Sequence, residues 1–370
     1  MVISDLRELF DSKRSLAQVQ TKDSQHDLPQ AAAQMPADTS SVGFVRVSVI
    51  IPAFNEEEMI GKCLESLVGA CYPLDAFEVI VVDNGSTDRT LEIARSFSTR
   101  LRLTILQRPG VNISALRNLG ASAARGELLA FLDADCSIPK DWFENAASNL
   151  ASDSAGVIGG NITIPEDSGW VARTWFQVAY SPKDGEVAYV PSGNMLMKNS
   201  AFVQIGGFNE TIKTSEDCEL CSRARGAGFT VREISALTVV HWRTPQTLKE
   251  FYCREAWHGE HVAKVFFQNI RSMTNFRAVA FAAFVLICGL SAIVGGFLAV
   301  FYRQYALLGL ALCGLAAGSF LCSFRKLRFV HGKAFWSNLT PLALLYLTWG
   351  LARARSLVSF RILHPRSSKL

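Results

Sequence analysis

The C-terminal part of this sequence contains no acidic residue. Between Arg277 and Leu370 there are 11 Lys or Arg and no Asp or Glu, which leaves 26 basic and 33 acidic residues before Arg277. The formal net charge of +4 is therefore the sum of an acidic part and a basic, apolar part. Because its cations flank long apolar runs, the basic part is typical of membrane association rather than of nucleic-acid binding.

Two common phosphate-binding motifs are also missing. No Gly-x-Gly-x-x-Gly follows the first predicted strand, and neither Gly-Lys-Ser nor Gly-Lys-Thr occurs anywhere. These absences disfavour a dinucleotide-type site and a P-loop. The nine cysteines form no paired metal motif. Cys218 and Cys221 have Cys-x-x-Cys spacing without a second pair, so we interpret them as two positions of one helix. Several cysteines lie in apolar surroundings, which agrees with a reducing compartment.

The amino-terminal residues 1–44 lack a positively charged start followed by an apolar stretch, so no signal peptide is predicted. They are polar and show little apolar periodicity, and we expect a disordered leader.

Two uncharged runs near the other end, 278–301 and 305–324, are each long enough to cross a bilayer, which needs about 20 residues. The short break between them predicts a helical hairpin. A third apolar segment, about 337–360, includes Arg353 and Arg355, which favours a helix lying partly in the membrane interface and leaves a third crossing open.

The segment after the hairpin, 324–333, carries four basic residues. By the positive-inside rule this segment is cytoplasmic, and the large domain before the hairpin then also faces the cytoplasm. The sequence thus predicts an α/β domain at 45–270 and a membrane-associated region at 277–370, on the cytoplasmic membrane.

Between residues 45 and 133, β-branched apolar segments alternate with segments of helical periodicity. Such alternation predicts a mostly parallel central sheet flanked by helices on both faces. In these sheets ligands bind beyond the carboxyl ends of the strands. Three predicted strands end in polar residues, and these form one expected rim: Asn55, Glu56, Asp83, Asp88, Asp133 and Asp135.

Asp133 and Asp135 follow the strand that ends "LLAFLDAD". Strand side chains alternate faces, so the two carboxylates point the same way. A strand-end turn that caps the next helix is one interpretation. The other is a divalent cation site, because Mg²⁺ and Mn²⁺ prefer carboxylate oxygens and usually retain substrate phosphates as further ligands.

Five segments carry a family resemblance: "VSVIIPAFNEEEMIGKCLESL", "FEVIVVDNGSTDRTLEIA", "GVNISALRNLGASAARGELLAFLDAD", "SGNMLMKNSAFVQIGGFNE" and "TSEDCEL". In this order and spacing, they resemble the successive blocks of a family 2 inverting glycosyltransferase with the GT-A fold. The resemblance covers roughly residues 45–265. It implies a metal-dependent enzyme that uses Mn²⁺ or Mg²⁺ and a nucleotide sugar, with a UDP-sugar as the first expectation.

The resemblance also implies site residues. On the nucleotide side these are Pro52, Asn55, Glu56, Asp83 and Asp133, with Asp135 and His241 at the metal and Arg254 at the leaving diphosphate. Asp217 is implied as the general base, with Glu216, Gly193 and Asn194 on the acceptor side. Many relatives carry a further Asp where this chain has Cys136, a departure that leaves both DxD positions intact.

We therefore expect a membrane-attached enzyme that glycosylates a hydroxyl of a lipid-linked or polyisoprenoid acceptor, in exopolysaccharide or cell-envelope assembly. Transfer to a polyprenyl phosphate is a close variant that needs no base. A non-catalytic scaffold of an export complex and a nucleotidyltransferase are the alternatives from other classes. The segment "YCREAWHG" lacks the QxxRW pattern of processive polysaccharide synthases, which disfavours a polymerase.

Overall fold

We analysed a computed structural model, which describes residues 46–151, 155–179, 184–212, 214–259, 273–328 and 333–358. The predicted leader at 1–44 lies outside the described residues. The described residues belong to one compact unit.

The first half of the α/β part alternates strands and helices as the sequence predicts. Its elements are β1 (Val47–Ala53), α1 (Ile60–Val68), β2 (Phe77–Asp83), α2 (Thr90–Ser96), β3 (Leu103–Gln107), α3 (Ile113–Ala123) and β4 (Leu128–Leu132). Strands β1 and β4 are buried along their whole length. They are apolar without alternation because helices cover both faces of the sheet.

The second half has shorter strands and brings the chain back to the same sheet. Its elements are β5 (Cys136–Ser137), α4 (Trp142–Leu150), β6 (Ala155–Gly159), β7 (Ile162–Thr163), α5 (Trp170–Ala179), β8 (Gly185–Glu186), β9 (Asn194–Lys198), α6 (Asn199–Gln204), α7 (Glu216–Gly226), β10 (Thr230–Glu233), a 3₁₀ turn (Ser235–Leu237), β11 (Val239–His241) and α8 (Leu248–Gly259).

The main sheet has eight strands in the order β3-β2-β1-β4-β9-β6-β10-β8. The pairs among β3, β2, β1 and β4 are parallel, whereas β9 lies antiparallel between β4 and β6. The α/β class with flanking helices is confirmed, but the sheet is mixed. The expectation rested on the alternation before residue 133, and the antiparallel strand comes after it.

Apolar side chains pack on both faces of the sheet. One core contains Leu64, Ala94 and Trp142 from helices α1, α2 and α4. The other contains Leu116 and Leu220 from helices α3 and α7. The two cores hold the sheet between them, so the carboxyl ends of β1, β2 and β4 are fixed at one edge.

A second, three-stranded sheet has the order β5-β11-β7. Strand β11 pairs antiparallel with β5, and His241 lies opposite Cys136. This pairing brings the chain back beside the end of β4, although His241 is more than 100 residues away along the sequence.

Three long helices follow: α9 (Met273–Tyr302), α10 (Ala306–Leu327) and α11 (Lys333–Val358). Two segments, Val279–Tyr302 and Ala306–Leu327, are long and apolar enough to cross a membrane, and only 17% of the most apolar window of each is buried. These helices match the predicted hairpin. Length and composition alone do not make them spans, since buried core helices can pass the same test.

Helix α11 covers the third apolar segment, and it packs on the α/β part. Leu345 of α11 lies in one apolar cluster with Val171 of α5 and Phe251 of α8. In the same joint, the Arg353 guanidinium pairs with the Glu255 carboxylate at 2.7 Å. Helix α11 thus docks on the α/β part through apolar side chains and this ion pair.

Candidate active site

The predicted DxD pair lies directly after β4, at the edge where the parallel strands end. The Asp133 N–H donates to the Gly193 carbonyl at 3.1 Å. A Cβ atom at position 193 would collide with the Asp133 carboxylate, so the absence of a side chain there lets the carboxylate pack against the backbone. Gly193, predicted on the acceptor side, thus makes room for Asp133, and its contact with the acceptor stays a prediction.

Arg117 joins this carboxylate to the second half of the molecule. Its guanidinium is 1% exposed and pairs with Asp133 Oδ1 at 2.8 Å and with Glu216 Oε1 at 2.8 Å. The Ser192 hydroxyl donates to the same Glu216 oxygen at 3.0 Å. Sequence reasoning missed Arg117. The available signal was a charged residue at a position of α3 whose neighbours Leu116 and Gly120 are buried.

Asp135 and His241 form the predicted metal pair. His241 Nε2 lies 3.4 Å from Asp135 Oδ2, and the two side chains are 16% and 13% exposed. One ligand atom each of Asp135, Cys136 and His241 lies within 4.8 Å of the others. Burial is the main cause that raises the pKa of Asp135; the positive charge of His241 lowers this pKa, and the negative charge of Asp133 raises it. A divalent cation fits here, since it would offset two neighbouring carboxylates and accept oxygen and imidazole ligands.

A cavity of about 260 Å³ opens beside this pair. Its lining combines backbone and apolar groups with three carboxylates: Pro52, Ala53, Phe54, Glu56, Asn84, Ile113, Leu116, Asp133, Ala134 and Asp135. The Phe54 ring is 53% exposed at the rim. An apolar wall that ends in carboxylates and a metal-binding pair suits a nucleoside attached to a charged diphosphate.

Glu56 is the most perturbed carboxylate of this cavity. Burial is the main cause that raises its pKa to about 7, and the charges of Asp135 and Asp133 add to it, while Arg243 lowers it. Arg243 Nη1 lies 3.2 Å from Glu56 Oε1. Arg243 thus ties the loop after β1 to the chain after β11 across the cavity.

Two predicted nucleotide residues, Asp83 and Asn55, shape the loops instead of lining the cavity. The buried Asp83 carboxylate accepts from the N–H groups of Gly85 at 2.9 Å and Ser86 at 3.1 Å. Asn55 has a positive φ of 54° and accepts from the Thr87 N–H at 2.9 Å. Asn55 therefore braces the loop after β1 against the loop after β2, and Asp83 closes the turn of its own loop.

Asn84 is a cavity residue that sequence reasoning missed. Its side chain accepts from the Val111 N–H and donates to the Val111 carbonyl, both at 3.1 Å. It therefore fixes the turn that precedes α3. Its position directly after Asp83 at a strand end was the available signal.

Asp217 lies in the first turn of α7, beside Glu216. The Cys218 N–H donates to Asp217 Oδ1 at 2.7 Å. Burial is the main cause that raises the pKa of Asp217 to about 6, and the Glu216 charge raises it further. A carboxyl group with this pKa can accept a proton near neutral pH. Ser215, directly before the helix, has a left-handed φ of 66° and makes no side-chain cap.

Two other predicted residues take different places. Asn194 was expected in a turn facing the acceptor, but it opens β9 and is fully buried. It accepts from Trp142 Nε1 at 3.2 Å and donates to the Leu237 carbonyl at 2.6 Å. The Arg254 guanidinium lies over the Phe176 ring at 5.2 Å. Among the described residues, Arg254 makes no hydrogen bond or ion pair with the rest of the site.

The structure thus brings together six of the predicted residues at one cleft: Pro52, Glu56, Asp133, Asp135, Glu216 and His241. Asp217 adjoins them through Glu216. Carboxylates from the loops after β1 and β4 face one side of the cleft, and α7 faces the other.

Comparisons with known proteins agree with this arrangement. The family model described as Glycosyl transferase family 2 matches residues 48–206. The model described as Glycosyl transferase family group 2 matches residues 128–350, which is more than half of the chain and extends into the apolar helices.

Two curated relatives are similar over part of their length. Glycosyltransferase AglE of Haloferax volcanii is 36% identical over 201 residues, which are 52% of this chain and 65% of the relative. The pre-mycofactocin glycosyltransferase of Mycobacterium tuberculosis is 28% identical over 249 residues, which are 64% of this chain and 51% of the relative. The matches therefore leave a third or more of each relative unaligned.

A solved structure supports the fold. The mannosyltransferase PcManGT from Pyrobaculum calidifontis, in complex with GDP-Man and Mn²⁺, has a TM-score of 0.55 at 20% identity and covers 87% of this chain and 91% of its own. Taken with the family models and the geometry of the cleft, the chain belongs to the family 2 glycosyl transferases and has their GT-A fold.

Proposed function

We propose that this protein is a membrane-attached, metal-dependent glycosyltransferase. It transfers a sugar from a nucleotide-sugar donor to a hydroxyl of a lipid-linked or polyisoprenoid acceptor, in the assembly of an exopolysaccharide or a cell-envelope glycolipid. One observation carries the proposal. Arg117 holds Asp133, at the nucleotide cavity, and Glu216, next to the candidate base Asp217, on a single guanidinium.

The donor occupies the cavity beside β1 and β4. Pro52 and Phe54 offer an apolar wall to the nucleoside, and Asp133 accepts from its ribose hydroxyls. Asp135 and His241 would hold Mn²⁺ or Mg²⁺, which would neutralise the charge that develops on the leaving diphosphate. Cys136, the thiol next to Asp135, is a softer donor than either ion prefers, so the oxygen and imidazole ligands are the ones assigned here.

Asp217 acts on the acceptor. Its carboxylate takes the proton of the acceptor hydroxyl while that oxygen attacks the anomeric carbon from the side opposite the nucleotide. A single displacement of this kind inverts the anomeric configuration. The pKa of about 6 leaves Asp217 ionised at neutral pH and still basic enough to accept a proton.

Glu216 supports this chemistry by positioning the helix that carries Asp217, and Gly193 by leaving room for the Asp133 carboxylate. Glu216 is 12% exposed and is held by Arg117 and Ser192, so it orients the first turn of α7. Arg254 of α8 stays a predicted contact of the diphosphate; it directly precedes Glu255, which pairs with Arg353 of α11.

The apolar helices provide the membrane attachment. Val279–Tyr302 and Ala306–Leu327 are largely unburied within the protein, and lipid is the environment that would cover them. The basic segment after the hairpin favours a cytoplasmic position for that loop, and with it for the active site. A lipid-linked acceptor would then present its headgroup on the same side as the nucleotide sugar.

The test uses membranes that carry the full chain, Mn²⁺ and a panel of labelled UDP- and GDP-sugars, with the label followed into extractable lipid. The variants are Asp135→Asn and Asp217→Asn, and the control is Asp75→Asn, an exposed carboxylate at the opposite end of β2. We expect label from one donor, lost in both site variants and retained in the control.

Other outcomes separate the alternatives. Label that survives Asp217→Asn but not Asp135→Asn would favour a polyprenyl phosphate acceptor, whose oxygen is already ionised. Nucleotide binding without transfer from any donor, to lipids extracted from the source membrane, would contradict the enzyme proposal and favour the scaffold.

A further inference from the structure

Arg117 is the most completely buried charged side chain of the cleft. It lies on α3, 1% exposed, and its guanidinium is also 5.5 Å from the Phe208 ring. Its two carboxylate partners are 16 and 99 residues away in the sequence. One partner, Asp133, ends the strand that borders the nucleotide cavity. The other, Glu216, opens the helix that carries Asp217.

The geometry requires an arginine. Its planar guanidinium offers separate N–H groups to two carboxylates at once, and here Nη2 reaches Asp133 while Nη1 reaches Glu216, each at 2.8 Å. A lysine has a single, strongly hydrated ammonium and cannot span two partners with the same geometry. Two carboxylates compensate one buried cation, so each partner depends on the other for its position.

The segment 192–193 closes the same arrangement from the other side. The Ser192 hydroxyl donates to Glu216, and the Gly193 carbonyl accepts from the Asp133 N–H. The Glu216 carboxylate cannot shift without breaking its contacts to Arg117 and Ser192, and the Asp133 carboxylate cannot shift without breaking its contact to Arg117. A displacement of the Asp133 carboxylate would therefore disturb the guanidinium that also holds Glu216.

We propose that Arg117 is a positioning residue that couples nucleotide binding at Asp133 to the placement of Asp217 through Glu216. This inference rests on the proposed function, because it assigns donor and acceptor sides to the two carboxylates. Arg117 does not line the cavity itself, and it reaches the cavity through its pair with Asp133, which does. Through Arg117, binding of the donor in the cavity and correct orientation of the base Asp217 depend on each other.

The charges around Asp217 support the coupling. Glu216 raises the pKa of Asp217, while Arg117 and the Cys218 N–H lower it. Cys221, one turn further along α7, interacts electrostatically with Asp217, and His258 of α8 does so with Glu216. Without the Arg117 cation the Glu216 charge is less compensated, so the pKa of Asp217 would rise further above its usual value.

The first experiment measures binding and needs no acceptor. The full chain in detergent is titrated with UDP and with GDP in the presence of Mn²⁺, as wild type, Glu216→Gln, Asp133→Asn and the double variant. We expect Glu216→Gln alone to weaken nucleotide binding about 5-fold although Glu216 does not line the cavity. The effects of the two substitutions on the binding free energy should be non-additive, as is usual for residues in one interaction network.

The same double-mutant cycle, repeated in Arg117→Met, shows whether the coupling between positions 133 and 216 passes through Arg117. The proposal expects the coupling between positions 133 and 216 to disappear there. Coupling that persists without Arg117, or a Glu216→Gln variant with unchanged nucleotide affinity, would overturn it. The control is Arg100→Met, which removes an exposed pair with Glu65 at 2.7 Å and should leave binding unchanged.

A second readout follows transfer, and it distinguishes positioning from mere stability. Arg117→Lys keeps the positive charge but cannot donate to both carboxylates with the guanidinium geometry. In this variant kcat should fall about 10-fold, and the acid limb of the pH profile should stay near its wild-type position. In Arg117→Met, that limb should move to higher pH. Both variants are compared at temperatures where circular dichroism shows them folded.

An acid limb that stays in place in Arg117→Met, with kcat unchanged, would overturn the inference while leaving the proposed enzyme intact. A wild type that binds neither nucleotide would overturn both, and so the two failures are distinguishable.

Discussion

Arg117 and Arg353 are both largely shielded from solvent, but they lie in different regions and have different surroundings. Arg117 is 1% exposed, inside the α/β part, with two carboxylates at its guanidinium. Arg353 is 14% exposed, on the helix that follows the apolar hairpin, with one carboxylate, Glu255, and the Trp349 ring 5.3 Å away. In the first region the cation organises a cleft, and in the second it fastens one helix to another.

The difference separates two kinds of loss. A substitution in the cleft should reduce chemistry while the fold stays stable, because the sheet and its two cores hold the rim in place. A substitution in the joint between α8 and α11 should reduce the stability of the fold. The molecules that remain folded should still bind nucleotide with wild-type affinity. The following experiments test that separation, in order of decreasing effect.

The largest effect should come from the candidate base. Asp217→Asn removes the proton acceptor without changing volume, and we expect kcat to fall about 10³-fold, within the range for loss of general base catalysis. The thermal midpoint should stay within a few degrees, since among the described residues the carboxylate is hydrogen-bonded only to its own helix turn. Lipid-labelling rates measure the first quantity and circular dichroism the second. A loss of activity under 5-fold would remove Asp217 from the chemistry.

The joint should respond in the opposite way. Arg353→Met leaves the Glu255 carboxylate, 6% exposed, without its partner, and breaking such a pair costs about 3 kcal/mol of stability. We expect a clear drop in the thermal midpoint in detergent and nearly unchanged Kd for nucleotide. Arg355→Met, an exposed neighbour on the same helix, is the matched control and should unfold like the wild type. Equal losses in both variants would contradict a specific role for the pair.

Gly193 tests the cleft without touching a charge. In Gly193→Ala the new methyl group meets the Asp133 carboxylate, and relieving such a collision costs about 2 kcal/mol. We expect nucleotide affinity in the presence of Mn²⁺ to fall about 30-fold. The control is Gly226→Ala at the end of α7, where a Cβ atom meets nothing within 4 Å. Unchanged affinity in Gly193→Ala would show that Asp133 is free to move.

The smallest effect concerns pH. Asp217 must be ionised to accept a proton, and burial raises its pKa to about 6. Activity should therefore fall as pH falls through about 6, to roughly one tenth of its plateau at pH 5. The residual activity of Asp217→Asn should lack this limb. A midpoint near 4 in the wild type would mean that the carboxyl is solvated during catalysis and that burial does not control it.

The alternation of strands and helices up to β4 was predictable, because apolar runs of strand length separated by amphipathic segments leave few other arrangements. The rim residues Glu56, Asp133 and Asp135 were predictable for the same reason, since each follows the end of a buried strand within a few residues. His241 required the family resemblance, because its partner Asp135 is reached only through the antiparallel pairing of β11 with β5.

What sequence reasoning missed depends on contacts between distant segments. Arg117 finds its second partner 99 residues away, and no local pattern encodes that distance. Asn194 follows a glycine and looks like a turn residue, but it opens a buried strand because Trp142 and the Leu237 carbonyl satisfy its amide there. The family resemblance assigns Asp83 to the nucleotide; its carboxylate also closes its own turn by accepting from the Gly85 and Ser86 N–H groups, which a strand-end position does not reveal.

The joint between α8 and α11 restricts how this chain can recombine with its relatives. On α8, Glu255 pairs with Arg353 of α11, and Phe251 packs in one apolar cluster with Leu345 of α11. The two helices must therefore be inherited together. A chimera that takes its apolar helices from a protein without that arginine would bury an uncompensated carboxylate at the seam. Successful exchanges within the family should therefore have their crossover points before α8 or after α11, and not between them.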